Sequence, residues 1–204
     1  SDADWVVWNP GLPGTTGAVN AIAYDSTNNR LYVGGGFTFM GTVLASRIAQ
    51  WNGSTWSTLG SGVNNTVFAL ALSSSGDLYV GGQFTSAGGS SAKRIAKWNG
   101  SGWSAIGSGL DNGVVYALAL SGSDIFVGGT FTTAGGIEAK YIAKWNGASS
   151  SWSALGTGLG NGLGYWVRAL AVSGRDIYVG GDFTAAGGNE AKYIAKWNGA
   201  SSSW

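Results

Sequence analysis

Four near-copies of one unit about 47 residues long, each with four strand-length apolar runs and none with helical periodicity, predict an all-β chain. The architecture they predict is a β-propeller of four-stranded antiparallel blades. The copies are marked by Phe-Thr pairs whose phenylalanines, Phe37, Phe84, Phe131 and Phe183, lie 47, 47 and 52 residues apart. The Trp-Asn-Gly triplets opening at Trp51, Trp98, Trp145 and Trp197 keep the same intervals. Glycine and β-branched residues are dense throughout, which opposes helix.

The second copy justifies each element in turn. Thr66 to Leu72 is apolar after its first residue, as expected of a strand covered on both faces. Ser73 to Gly76 is turn chemistry, and Asp77 to Gly82 is a second strand stopped by paired glycines. Gln83 to Ala92 is looser and carries Phe84-Thr85 and Gly88-Gly89. Arg94 to Asn99 reads as a third strand and Gly102 to Ile106 as a fourth. Asn-Gly at Asn52, Asn99, Asn146 and Asn198 predicts a tight hairpin between them, because both residues tolerate positive φ. A second tryptophan (Trp56, Trp103, Trp152, Trp204) then opens the fourth strand. Its regular place predicts packing between blades rather than a sugar-stacking platform.

These residues also carry a resemblance. Leu78-Tyr79-Val80-Gly81-Gly82, followed by Trp98-Asn99-Gly100 and Trp103, resembles the kelch repeat of galactose-oxidase-like propellers. There a double glycine closes the second strand and an aromatic hairpin joins the outer two. The chain departs from kelch in having Trp-Asn-Gly where Tyr-Asp is usual. It is more similar to the Gly-Gly-x-Phe-Thr, Trp-Asn-Gly propeller repeats of large secreted bacterial surface proteins. Similar repeats occur in a fungal cell-wall polarity marker. The resemblance implies an extracellular, non-catalytic propeller.

The repeats leave no linker, so residues 1–204 are expected to form one propeller domain. Its blade repeats fall at approximately 13–60, 61–107, 108–156 and 157–204. Trp8 precedes Val19 by the 11 residues that separate Trp56 from Val67, so residues 5–12 read as a detached fourth strand completing the last blade. The alternatives are a piece of a longer propeller, or a terminal strand that completes a neighbour's blade.

Composition narrows the chemistry. Glycine is 37 of 204 residues and only 10% are charged, yet 44% hydrophobic content and 11 tryptophans argue for a packed core rather than disorder. A net charge of +1 gives no reason to expect nucleic acid, and the longest apolar run, Val114 to Leu120, is too short to insert in a membrane. With no cysteine and no histidine, Ser-His-Asp and Cys-His catalysis and thiolate or imidazole metal sites are excluded. The copper chemistry of galactose oxidase therefore does not carry over. Gly53-Ser54-Thr55-Trp56 matches half of the Asp-box of sialidase propellers, but Trp51 stands where its aspartate should be.

Asp77, Asp124 and Asp176 hold one repeat position and read as turn formers, with Arg30 in the first copy. Glu138 and Glu190 beside Lys140 and Lys192 read as surface ion pairs. Asp25 with Asn28 and Asn29 is a poor substitute for a calcium loop. No catalytic residue, cofactor or metal is expected. N-glycosylation acceptor patterns begin at Asn52, Asn64 and Asn99.

Two places break the repeat. Phe39-Met40-Gly41-Thr42-Val43-Leu44 replaces the small residues of the other copies, and Gly160 to Trp166 is three residues longer than its equivalent after Leu110. Alternation puts both loops on one rim, next to each other if four blades close. Asp182 stands where other copies have Gly36, Gln83 and Thr130. Phe39, Met40, Tyr165, Trp166, Arg168 and Asp182 are thus the candidate contact for another protein or copies of the same chain. The expected role is a structural or interaction module of a secreted or cell-surface assembly, such as an adhesin or filament component. The competing expectation is a multivalent lectin with a shallow site per blade around the Phe-Thr to Gly-Gly loop.

Overall fold

The computed structural model describes residues 14–160 and 166–204, and among them there is no helix. Three antiparallel sheets have four strands each. The first contains Val19–Asp25, Arg30–Gly35, Ile48–Trp51 and Trp56–Thr58. The second contains Val67–Leu72, Leu78–Gly82, Ile95–Trp98 and Trp103–Ala105, and the third Val115–Ser121, Asp124–Gly129, Ile142–Asn146 and Ser151–Ala154. The fourth pairs Val167–Ser173, Asp176–Gly181 and Ile194–Trp197. Strand order follows chain order within every sheet, so these are the blades of a β-propeller, called blades 1 to 4 below. The closing strand expected at residues 5–12 lies outside the described residues.

The blades pack face to face through one repeated lock. A Cβ at Gly34, Gly81 or Gly128 would collide with Cγ1 of Val67, Val115 or Val167 on the following blade. Each valine is fully buried. The double glycine therefore does more than stop a strand, because its first member is a socket for the next blade. Around this lock, Tyr32 and Ile48 join the core of blade 2, Tyr79 and Ile95 that of blade 3, and Phe126 and Ile142 that of blade 4. Burial also pushes the Tyr79 phenol above its ordinary value. Among the described residues no core cluster joins blade 4 to blade 1. Val33, Phe37, Met40, Ala45 and Ala49 form a half-core on blade 1 alone. The described blades therefore stand as an open arc and not the closed ring of four.

The tryptophan pairs lie opposite each other in register, Trp98 against Trp103 and Trp145 against Trp152, with ring centroids 5.4 and 5.3 Å apart. The second tryptophan also reaches the chain leaving the previous blade, as expected of interblade packing. Trp103 Nε1 donates to the Leu59 carbonyl at 2.7 Å and Trp204 Nε1 to that of Leu155 at 3.0 Å.

The Asn-Gly turns work differently from the expectation. None of the four asparagines has positive φ, which falls on Gly53 and Gly100, and on Ser150 and Ser202 in the two longer turns. The asparagine instead accepts through its side chain, as Asn99 Oδ1 does from the N–H groups of Ser101 and Gly102 at 3.0 and 2.8 Å.

The looser segments are more ordered than the sequence suggested. Each forms a two-residue hairpin, such as Ser86–Ala87 with Ser90–Ser91. The connection entering the blade bridges to it, through Val63 to Ala87 and Leu110 to Ala134. The same connection bonds back to the previous blade, Val63 N–H to the Ser46 carbonyl and Leu110 N–H to that of Lys93.

Candidate functional site

Every inner strand carries a β-bulge at the same place. The pairing slips between Val19 and Ala21, Val67 and Ala69, Val115 and Ala117, and Val167 and Ala169. The residue left over is Asn20, Phe68, Tyr116 or Arg168. A bulge re-aims a side chain out of the ladder, and these four form a row across neighbouring blades. Asn20 Nδ2 donates to the Val67 carbonyl at 2.9 Å, and the Phe68 and Tyr116 rings meet at 5.0 Å.

Blade 4 extends this row with residues the repeat did not require. Trp166 stacks on Tyr116 with centroids 5.6 Å apart and planes 22° from parallel, and it remains exposed. The Arg168 guanidinium carbon lies 4.5 Å from the Trp166 ring centroid, a cation–π contact. Arg168 Nε donates to Asp182 Oδ2 at 2.7 Å, and the Asp182 N–H donates to the Trp166 carbonyl at 2.8 Å. The Trp166 ring is thus held by Tyr116 and Arg168 and is still 38% exposed. Arg168 and Asp182 depart from the repeat together on the same blade, and that joint departure was the sequence signal of their pairing.

The loops expected on one rim do lie together. Asn64 Oδ1 accepts from the N–H groups of Thr85 and Ser86, and Asn112 Oδ1 from that of Thr132. Phe39 and Trp166, one from each irregular loop, are not brought side by side, because Phe39 belongs to the first blade of an open arc and Trp166 to the last. Phe39 is exposed, whereas Met40 is buried in the half-core of blade 1 and presents nothing to a partner. Tyr165 lies outside the described residues.

The repeated carboxylates do more than form turns. Asp77, Asp124 and Asp176 pair with Lys97, Lys144 and Lys196 on the third strand at 3.0, 2.7 and 3.1 Å. Where blade 1 has Arg30 for the aspartate it has Gln50 for the lysine. Glu138 and Glu190 do pair with Lys140 and Lys192, at 3.1 and 2.8 Å. Asp25 is buried and is a turn cap. It accepts from the Thr27 and Asn28 N–H groups and the Asn28 side chain, which hold its carboxyl below the ordinary carboxylate value. Among the described residues no group of three acidic side chains is placed to hold a metal ion.

A cavity of about 490 Å³ opens between blades 3 and 4 among the turns that join first to second and third to fourth strands. Asp124, Phe126, Lys144, Arg175 and Trp197 are among its lining residues. It is not at the Phe-Thr loops. There Phe37, Phe84, Phe131 and Phe183 are fully buried and offer no face to a sugar.

The fold places the chain among β-propellers, a class whose rims commonly serve protein interaction. A family model described as the Rax2 C-terminal beta propeller domain matches residues 3–99, which span blade 1 and most of blade 2. The chain is similar in fold to the crystal structure of the computationally designed Ika4 protein, with 17% identity and a TM-score of 0.52. That likeness covers 92% of this chain and 94% of that one. The crystal structure of the computationally designed Ika8 protein is similar at 17% identity and a TM-score of 0.55, over 92% of this chain and 48% of that one. No curated protein matches the sequence. No helix among the described residues is long and apolar enough to cross a membrane.

Proposed function

We propose that the chain is a non-catalytic, extracellular propeller of kelch-like blades that acts as a structural and protein-interaction module of a cell-surface or secreted assembly. The observation that carries this reading is the Trp166 side chain, exposed yet fixed between Tyr116 and Arg168. Tryptophan and arginine are the usual anchors of protein interfaces, and an anchor already held in place costs little side-chain entropy on binding. The non-catalytic part is supported by a chain without histidine or cysteine, whose repeated carboxylates are tied to lysines. The extracellular part is supported by the similarity of its Gly-Gly-x-Phe-Thr and Trp-Asn-Gly motifs to those of secreted surface proteins.

The test is binding of labelled protein to intact cells of its source, compared with Trp166→Ser. The variant should lose at least roughly tenfold in binding, or about 1.4 kcal/mol, with its melting temperature nearly unchanged. Equal binding by both proteins, or a large loss of stability in the variant, would overturn the reading.

A further inference from the structure

The two ends of the arc carry opposite halves of the interface that already repeats three times inside the chain. On the back of blade 4, Ile194 is 68% exposed, while its equivalents Ile48, Ile95 and Ile142 are 0% exposed. Tyr178 is 43% exposed against 2% for Tyr32 and 6% for Phe126. Gly180 is the fourth socket, and it is empty among the described residues. A Cβ there would meet only the Ala169 Cβ at 3.8 Å and the Tyr193 carbonyl at 3.9 Å. On the front of blade 1, Val19 is the fourth knob, 41% exposed where Val67, Val115 and Val167 are 0% exposed. Ile22 stands beside it at 62% exposure, in the place where Leu70 and Leu118 pack on the preceding blade.

We propose that two copies of this chain dock head to tail, the blade 1 front of each on the blade 4 back of the other, and close as an eight-bladed ring. The occupant follows from the shape of the socket. A face built to receive a valine knob, a Leu or Ile beside it and a half-core centred on a buried phenylalanine fits another blade of this repeat. Among the described residues the chain itself presents that blade face uncovered, in equal number. Such a contact is heterologous, so it makes either a closed ring or an open filament. Eight blades lie within the span of about four to eight that propellers adopt. Closure also covers both apolar faces, which an open arc leaves exposed to adventitious association.

The experiment is light scattering on the 204-residue chain across about 1 to 100 µM, concentrations that span micromolar affinity. A mass twice the chain's 20.7 kDa is expected. Gly180→Ala, Ile194→Asp and Ile22→Asp should each give folded monomers with unchanged strand content and melting behaviour at low concentration. Mixing Ile22→Asp with Ile194→Asp should restore a dimer, because one interface then joins two intact faces. Trp166→Ser should leave the dimer intact, which separates this contact from the rim. A monomer at every concentration, a ladder of species beyond the dimer, or failure of the two variants to complement would each overturn the proposal.

Discussion

A single methyl group, placed at two equivalent glycines, should have opposite effects. In Gly81→Ala the new Cβ sits under 3.0 Å from Val115 Cγ1, 3.2 Å from its Cβ and 3.3 Å from Leu118 Cδ1. Val115 is fully buried in the core of blade 3 and has no open space to retreat into. Neither glycine has positive φ, so backbone strain contributes nothing to the difference. Overpacking of this kind costs about 1–3 kcal/mol. In Gly180→Ala the nearest atom is 3.8 Å away, an ordinary van der Waals contact. The loss of unfolded-state freedom should then stabilise the chain by about 0.4–1 kcal/mol. For a chain of this size each kcal/mol moves the midpoint by roughly 2–4 °C. Gly81→Ala should therefore lower the midpoint by about 2–12 °C, and Gly180→Ala should leave it level or slightly higher. Thermal unfolding in the Ile22→Asp background keeps association out of the comparison. Equal losses at the two positions would refute the reasoning, since position 180 would then be packed like position 81.

Two further outcomes are expected. Trp103→Ala should cost about 3–5 kcal/mol in urea unfolding, as for other large aromatics. It empties the contact with Trp98 and removes one of the two donors to the Leu59 carbonyl, leaving the Gly62 N–H, whereas Trp103→Phe should cost less because a ring stays. Acid unfolding should depend on Asp25 and Asp111. Hydrogen bonds from Asn28 lower the first carboxyl, and the Lys93 side chain lowers the second, below the ordinary value of 3.8. A group depressed on folding contributes stability above its unfolded value and loses it as pH falls through the lower folded value. Asp25→Asn and Asp111→Asn should each flatten the loss of stability below about pH 4. An unchanged acid limb in both would show that these contacts do not persist in solution.

The blades were legible in the sequence because a fixed period, paired glycines and aromatic hairpins point to the same sheet at every level. Of the row of contact residues, Trp166 and Arg168 were legible, but the bulge residues Phe68 and Tyr116 beside them were not. A bulge is one extra residue, and inside apolar runs such as Val67 to Leu72 or Val115 to Leu120 nothing marks Phe68 or Tyr116 as the member left out of the ladder. Met40 shows a second limit. Hairpin pairing with Val43 and a bridge to Thr15 turn it inward while Phe39 turns out, and composition does not reveal that alternation. The arc's ends show a third. Ile48, Ile95, Ile142 and Ile194 are the same residue in the same local motif, and only the presence of a following blade decides which is buried. Arg168 and Asp182 were named from the sequence as candidate contacts, and their pairing with each other could have been read too, because both depart from the repeat on one blade.

The repeated seating of a valine in the preceding blade's glycine socket is tested most directly by a double-mutant cycle on Gly81→Ala and Val115→Ala. If the added methyl is costly because Val115 fills that space, shortening the valine gives it room. The double variant should then be more stable than the sum of the two single losses predicts, by about 1 kcal/mol or more. Strict additivity would mean that the two side chains do not meet, and that the blades are not stacked through this contact.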